Sequence, residues 1–269
     1  MEDKEKRMGL KEEIREKAKS FGFDLCGVSD LLQIERAEYP PDRGLTRPLK
    51  VMPEARSLII LGFVLWDENF NSVTVSTVAD EGESNGSQVD YYNFYYEIME
   101  TRAWRLSHWL LKEKGVHSIP THRIQEKPAA MLAGLGFIGR NTQVITPEYG
   151  PRVRWVALLM DSELTPDEPF SRDLCAEQPL CKSKELCIWA CPYRAIIPGP
   201  SQGVPPGEKV KINRCVIFHE FDNDLDKKWE RFIRRTTELG FMECTRCNLV
   251  CPYGKPVDEK IIPKKRGLL

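Results

Sequence analysis

Cysteine placement constrains this chain more than any other feature. Cys26 stands alone in the first half, while Cys175, Cys181, Cys187, Cys191, Cys215, Cys244, Cys247 and Cys251 all follow residue 170. The stretch that carries them is rich in loop-forming residues, including Pro198-Gly199-Pro200-Ser201-Gln202-Gly203-Val204-Pro205-Pro206-Gly207. Such a segment has too little periodic apolar sequence to build its own core, and bound metal would have to hold it together. The asymmetry also divides the chain, at about residue 170, into a first part of ordinary composition and a cysteine-rich second part.

The spacing points to the kind of metal. The bacterial two-cluster ferredoxin run is C-x2-C-x2-C-x3-C-P, and its fourth cysteine ligates the other cluster. Cys187-Ile188-Trp189-Ala190-Cys191-Pro192 supplies one such ending, preceded by Cys175 and Cys181 at wider gaps. Cys244-Thr245-Arg246-Cys247-Asn248-Leu249-Val250-Cys251-Pro252 supplies a second, with Cys215 upstream. Exchange of the fourth ligand groups Cys175, Cys181 and Cys187 with Cys251, and Cys191 with Cys215, Cys244 and Cys247. Two [4Fe–4S] clusters would thus use every cysteine except Cys26. Structural zinc is the competing reading, because four-cysteine zinc sites also use C-x2-C pairs, but zinc needs neither the Cys-Pro ending nor the exchange. Cys26, within Phe23-Asp24-Leu25-Cys26-Gly27-Val28, reads as a core thiol.

The first part alternates helix and strand patterns. Residues 3–20 form an amphipathic helical pattern, and Ser57–Leu65 is an apolar run suited to a strand buried on both faces. A long helix is expected over 90–114, stopped by Gly115. A strand near 116–119, a helix over 127–135 and strands at 142–146 and 152–160 follow, while 67–90 reads as loop. An α+β or α/β layer results. The 39 lysines and arginines nearly balance the 40 aspartates and glutamates, which removes the overall positive field of a dedicated nucleic-acid binder. The mixed-charge N-terminus shows no export signal and no run is long enough to span a membrane, so a cytoplasmic protein is expected.

Ala133-Gly134-Leu135-Gly136-Phe137-Ile138-Gly139-Arg140-Asn141-Thr142, followed by Pro147-Glu148-Tyr149-Gly150-Pro151-Arg152-Val153-Arg154 and then the cysteines, resembles the corrinoid iron–sulfur reductases, comprising epoxyqueuosine reductases and reductive dehalogenases. The resemblance runs from about Lys11 to Gly254. It implies a nitroreductase-like α/β sandwich over 1–170 that holds base-off cobalamin, and a ferredoxin-like two-cluster domain over 171–269 that feeds it electrons from a ferredoxin- or flavodoxin-type donor. Gly134, Gly136, Gly139, Arg140, Asn141 and Thr142 are the expected corrin contacts, since glycines let backbone approach a flat ligand. A helix-to-strand turn without a ligand is the plainer reading of the same glycines.

The sequence departs from both branches at the proton donor. Aligned without gaps, Pro120 takes the place of the aspartate of epoxyqueuosine reductases, and Gly115-Val116 takes that of the dehalogenases' Gly-Tyr pair. His117 and His122 are the candidate donors nearby, against a reading of both as solvated loop residues, and Tyr91, Tyr92, Tyr95 and Tyr96 offer phenols. The chain ends at Leu269, without the helical-repeat tail of many epoxyqueuosine reductases, which together with its charge makes tRNA an unexpected partner and a small molecule the expected substrate. The alternative function is an iron–sulfur electron-transfer or activase protein serving another corrinoid protein or redox enzyme.

Overall fold

In a computed structural model, the described residues are 2–39, 44–64, 94–191, 193–204, 206–211, 214–215, 235–237, 240–241 and 246–254. The expected loop at 67–90, Tyr91, Tyr92 and Cys244 lie outside them.

The centre is a four-stranded sheet of order β1-β2-β6-β3, formed by β1 (Leu25–Ser29), β2 (Ser57–Val64), β3 (Ser118–Thr121) and β6 (Val153–Met160), with a short hairpin of β4 (Phe137–Ile138) and β5 (Val144–Ile145) between the last two in sequence. Every neighbouring pair is antiparallel. β2 and β6 pair over their whole lengths, from Ser57 opposite Met160 to Val64 opposite Val153. Flanked on both sides, they carry the longest apolar runs, as sheet interiors require.

Alternation along these strands divides the core in two. Ile59, Leu61, Phe63, Val156, Leu158 and Met160 face α1 (Glu2–Ser20) and α4 (Phe94–Trp109), where they meet Ile14, Ala18, Met99, Ala103 and Leu106. Leu58, Ile60, Trp155, Ala157 and Leu159 face the other layer, where α2 (Leu31–Arg36) brings Leu31 and Ile34, α3 (Pro48–Val51) brings Leu49 and Val51, and α5 (Glu126–Leu132) brings Ala129 and Ala130. The result is a helix–sheet–helix sandwich whose sheet is wholly antiparallel, so of the two layer types the sequence allowed it is the α+β one. Each large apolar side chain that this arrangement buries fully stabilises it by roughly 1.5–3 kcal/mol.

Two differences from the sequence reading have local causes. α4 gives way to a π turn over Leu110–Lys114 before Gly115 caps it in the left-handed region at φ 64°. β3 starts two residues later than expected and contains Pro120, which an edge strand tolerates because its missing N–H faces no neighbour. Cys26 packs against the first core face, and burial pushes its thiol up to about 12. No helix among the described residues is long and apolar enough to cross a membrane.

The first layer and the cysteine segment are joined by close backbone contact. A tight turn bridges Thr146 to Gly150 just before β6. Gly150, at φ 60°, lies so near the chain after Cys251 that a Cβ there would sit 2.1 Å from the Tyr253 carbonyl oxygen. Arg152 donates from Nη1 to that same carbonyl at 3.3 Å.

Candidate functional site: a cysteine-lined cavity

Three short helices shape the cysteine segment: α6 (Leu174–Glu177), α7 (Pro179–Lys184) and α8 (Leu186–Ala190). Asp173 caps α6 by accepting from the Ala176 amide at 2.9 Å, and Gln178 with Pro179 opens α7. These starts turn Cys175, Cys181 and Cys187 inward. α9 (Arg246–Leu249) then delivers Cys251 from the far end of the sequence.

The four cysteines line one common cavity. Cys175, Cys181, Cys187 and Cys251 line it with Cys247, Asn141, Ile145, Leu186, Pro252 and Tyr253. Burial pushes the Cys181 thiol up to about 11 and that of Cys251 to about 12, and raises Cys175 and Cys187 as well. Against burial, the Arg140 amide hydrogen-bonds the sulfur of Cys175 and the Tyr253 amide that of Cys251. Such N–H···S bonds favour thiolate and are a lever on cluster potential. Among the described residues no three His, Cys, Asp or Glu side chains converge to clasp a single metal ion. Of the second expected set, Cys191 accepts from the Ala195 amide at 3.3 Å, and Cys215 and Cys247 are partly buried.

The glycine turn serves this cavity. Cβ atoms at Gly134 and Gly136 would lie 2.6 Å from the carbonyl oxygens of Glu168 and Ile145, and one at Gly139 would strike the Ile145 side chain. The Gly134 and Gly139 amides donate to Met131 and Gln143 carbonyls. The close approach that the glycines permit is therefore made by the chain's own backbone. Arg140 pairs with Glu185 at 3.3 Å. Asn141 is buried, with Nδ2 3.4 Å from both the Cys247 carbonyl and Asn248 Oδ1. Thr142 takes a left-handed φ of 61° and closes the turn by donating its amide to the Gly139 carbonyl.

The two histidines separate. His117 is exposed at the start of β3, paired through its backbone with Asp161, whereas His122 follows the strand's other end. About five residues of extended chain, on the order of 16 Å, lie between them. His122 is at the end of the sheet from which β6 starts, the end that reaches the Cys251 segment through Arg152. Its Nδ1 lies 2.6 Å from Glu126 Oε1, its Nε2 lies 3.5 Å from Glu100, and Tyr96 packs edge-on against its ring. Burial alone would lower the His122 pKa, but the Glu126 hydrogen bond and charge, with Glu100 and the Trp155 carbonyl, raise it. Burial likewise raises Glu126. Glu126 was legible as a partner only from its i+4 spacing to His122, and nothing in the sequence marked Tyr253 as a neighbour of the cysteines.

The fold is shared with solved epoxyqueuosine reductases and reductive dehalogenases, the proteins that the sequence resembles. It superposes on an epoxyqueuosine reductase solved with an epoxyqueuosine-modified tRNA-Tyr stem loop with a TM-score of 0.61, at 23% identity, over 95% of this chain and 68% of that one. A catabolic reductive dehalogenase matches with a TM-score of 0.57 at 16% identity, over 91% of this chain and 32% of that one. Curated proteins similar to this chain include epoxyqueuosine reductases. That of Bacillus subtilis is 24% identical over 95% of this chain and 66% of its own length, and that of Prochlorococcus marinus 25% identical over 91% and 78%. The chain thus spans just under two thirds of the Bacillus subtilis protein. No protein-family model matches the sequence. The expectation that tRNA is an unlikely partner is overturned here: a protein sharing the fold over nearly the whole chain was solved with a tRNA stem loop, and near-neutral net charge does not preclude a local basic surface.

Proposed function

We propose that this chain is an iron–sulfur oxidoreductase of the epoxyqueuosine reductase type, in which a nitroreductase-like layer over 1–170 is served by a ferredoxin-like part over 171–269. The observation that carries this reading is that Cys251 shares a cavity with Cys175, Cys181 and Cys187 across more than sixty residues of sequence. Ligand exchange between two ferredoxin runs calls for this grouping. Cysteine thiols, apolar walls from Ile145 and Leu186, and amide donors to sulfur suit a [4Fe–4S] cluster; Cys247 also lines the cavity, and the exchange rule assigns it to the second cluster. A second cluster is assigned to Cys191, Cys215, Cys244 and Cys247. Electrons would come from a low-potential ferredoxin- or flavodoxin-type donor.

Similarity to a structure described as suggesting a mechanism for B12-dependent dehalogenation supports a corrinoid as the further cofactor. The glycine turn does not fit as its seat, because the space beside each glycine is filled by the chain and the Gly134 and Gly139 amides are used internally. No step is therefore routed through it. With Pro120 where an aspartate is found in relatives, His122 held by Glu126 is the proposed proton source, and His117, at the opposite end of β3, is not. The relatives' names make a modified nucleoside in a tRNA stem loop the first substrate to try. Pro120 and the filled turn equally favour a second reading, an electron-transfer or activase protein serving another corrinoid protein.

Anaerobic reconstitution with iron and sulfide, followed by turnover of epoxyqueuosine-containing tRNA stem loop under a low-potential reductant with and without added cobalamin, tests the proposal. About eight irons per chain and conversion of the nucleoside are expected. Full iron without conversion, together with reduction of a separate corrinoid protein, selects the second reading. Zinc in place of iron rejects both.

A further inference from the structure

Three separate parts of the chain meet at Tyr253. It lies two positions after Cys251 and lines the cysteine cavity with it. Its hydroxyl donates to the Leu174 carbonyl at 3.0 Å, a bond that spans 79 residues of sequence. Leu174 is fully buried and directly precedes Cys175, so this bond ties the chain beyond Cys251 to the helix that carries Cys175. The backbone of Tyr253 is fixed from another side. Its carbonyl oxygen lies so close to Gly150 that no Cβ fits there, and it accepts from Arg152 Nη1 at 3.3 Å. Gly254 is pressed in the same way against Tyr149, where a Cβ would lie 2.3 Å from the carbonyl carbon. Tyr253 packs on the apolar group of Phe137, Ile145, Leu174, Cys175 and Cys251, yet it is only partly buried. A residue that lines the cavity and also meets solvent is part of the cavity's outer wall. An apolar shell around a metal site controls solvent access and, with it, the site's redox properties. A phenol can serve both as tie and as wall, since its ring supplies flat apolar area while its hydroxyl takes one partner.

We infer that Tyr253 is a positioning residue that closes the cysteine cavity: its hydroxyl holds the Cys251 end of the chain against the Cys175 helix, and its ring keeps solvent from the cluster. The two duties reside in different atoms of one side chain, so substitution can separate them. The inference rests on the cavity holding a cluster, as proposed above.

Variants of the reconstituted full chain test it through two readouts: anaerobic release of iron to excess chelator, and exchangeable-deuteron couplings in pulsed EPR of the reduced protein after transfer to heavy water. Tyr253→Phe keeps the ring and loses only the bond to Leu174. Its iron release should quicken about threefold to tenfold, the worth of one hydrogen bond, with no deuteron coupling gained. Tyr253→Ala removes the wall as well, so new couplings should appear beside the faster release. Tyr253→Leu, which leaves a smaller apolar group, should show the same two changes in lesser degree, and it supplies the reading if Tyr253→Ala fails to assemble. Iron release from Tyr253→Phe at the wild-type rate, or wild-type couplings in Tyr253→Ala and Tyr253→Leu, overturns the assignment. Absence of iron and of any cluster signal in the wild type overturns the underlying reading instead.

Discussion

Gly150→Ala should damage a cluster without touching a cysteine. In the structure an added Cβ would lie 2.1 Å from the Tyr253 carbonyl oxygen, 2.8 Å from its carbon and 3.4 Å from its Cβ. A tolerable contact needs about 1 Å more, and neither neighbour is a flexible side-chain tip that could swing aside. Moving a non-glycine residue into the left-handed region adds roughly 1–2 kcal/mol, and overpacking adds roughly 1–3 kcal/mol. Relief requires the backbone of 252–254 to retreat, and Cys251 is its immediate neighbour in the cavity wall. A shift of about 1 Å is enough to spoil a preorganised site. The expected result is about 2–5 kcal/mol lower stability in anaerobic denaturation, and iron content after reconstitution falling from about eight toward about four per chain. Gly203→Ala is the control, because that glycine, also left-handed at φ 73°, has no atom within 4 Å of the added carbon and should lose only the conformational part. A Gly150→Ala protein as stable as Gly203→Ala and with full iron would refute the claim that this contact positions Cys251.

Other outcomes follow from the same geometry. The His122 pKa, measured by NMR of the imidazole protons, should lie above the ordinary value of about 6.5 and fall in Glu126→Gln. Because the folded value is raised, stability from this pair is fully present below the unfolded value and is lost as pH rises through the folded one; a stability profile flat across that window would contradict the pairing. Asp167 accepts from the Val28 amide at 2.7 Å and pairs with Lys11 and Arg15; burial would raise its pKa, but these partners hold it below the usual carboxylate range. Asp167→Asn should cost roughly 2 kcal/mol in chemical denaturation at neutral pH, a difference that shrinks as pH falls through the depressed pKa and the carboxylate is protonated. His122→Ala should slow nucleoside reduction and remove a pH-dependent limb while leaving both cluster signals intact, whereas His117→Ala should change neither.

Much of the sandwich was legible because its strongest signals are local. The run Ser57–Leu65 has no polar face, which only a strand covered on both sides can satisfy, and β2 sits between β1 and β6. Helix ends at Ser20 and Gly115 likewise follow from residues beside them. Where contact partners lie far apart in sequence, the reading gave the need but not the partner. Gly134, Gly136 and Gly139 marked a close approach of something, and only three-dimensional packing shows that Glu168 and Ile145 make it. Arg152 and Lys209 likewise carry no spacing that relates them to Tyr253 and Ile138, whose carbonyls they meet. The proposed grouping of Cys251 with Cys175, Cys181 and Cys187 comes from the exchange rule, which concerns chain path and is encoded in the Cys-Pro endings; that Cys247 lines the same cavity is visible only in three dimensions.

That grouping is tested most directly by EPR of single-cysteine variants of the reconstituted chain. If Cys251 completes the cavity set, Cys251→Ala should abolish the same cluster signal as Cys187→Ala and leave the other, and Cys191→Ala should remove the signal that Cys247→Ala removes. If Cys251→Ala and Cys247→Ala instead remove one shared signal while Cys191→Ala and Cys187→Ala remove the other, each run holds its own metal and the account is contradicted.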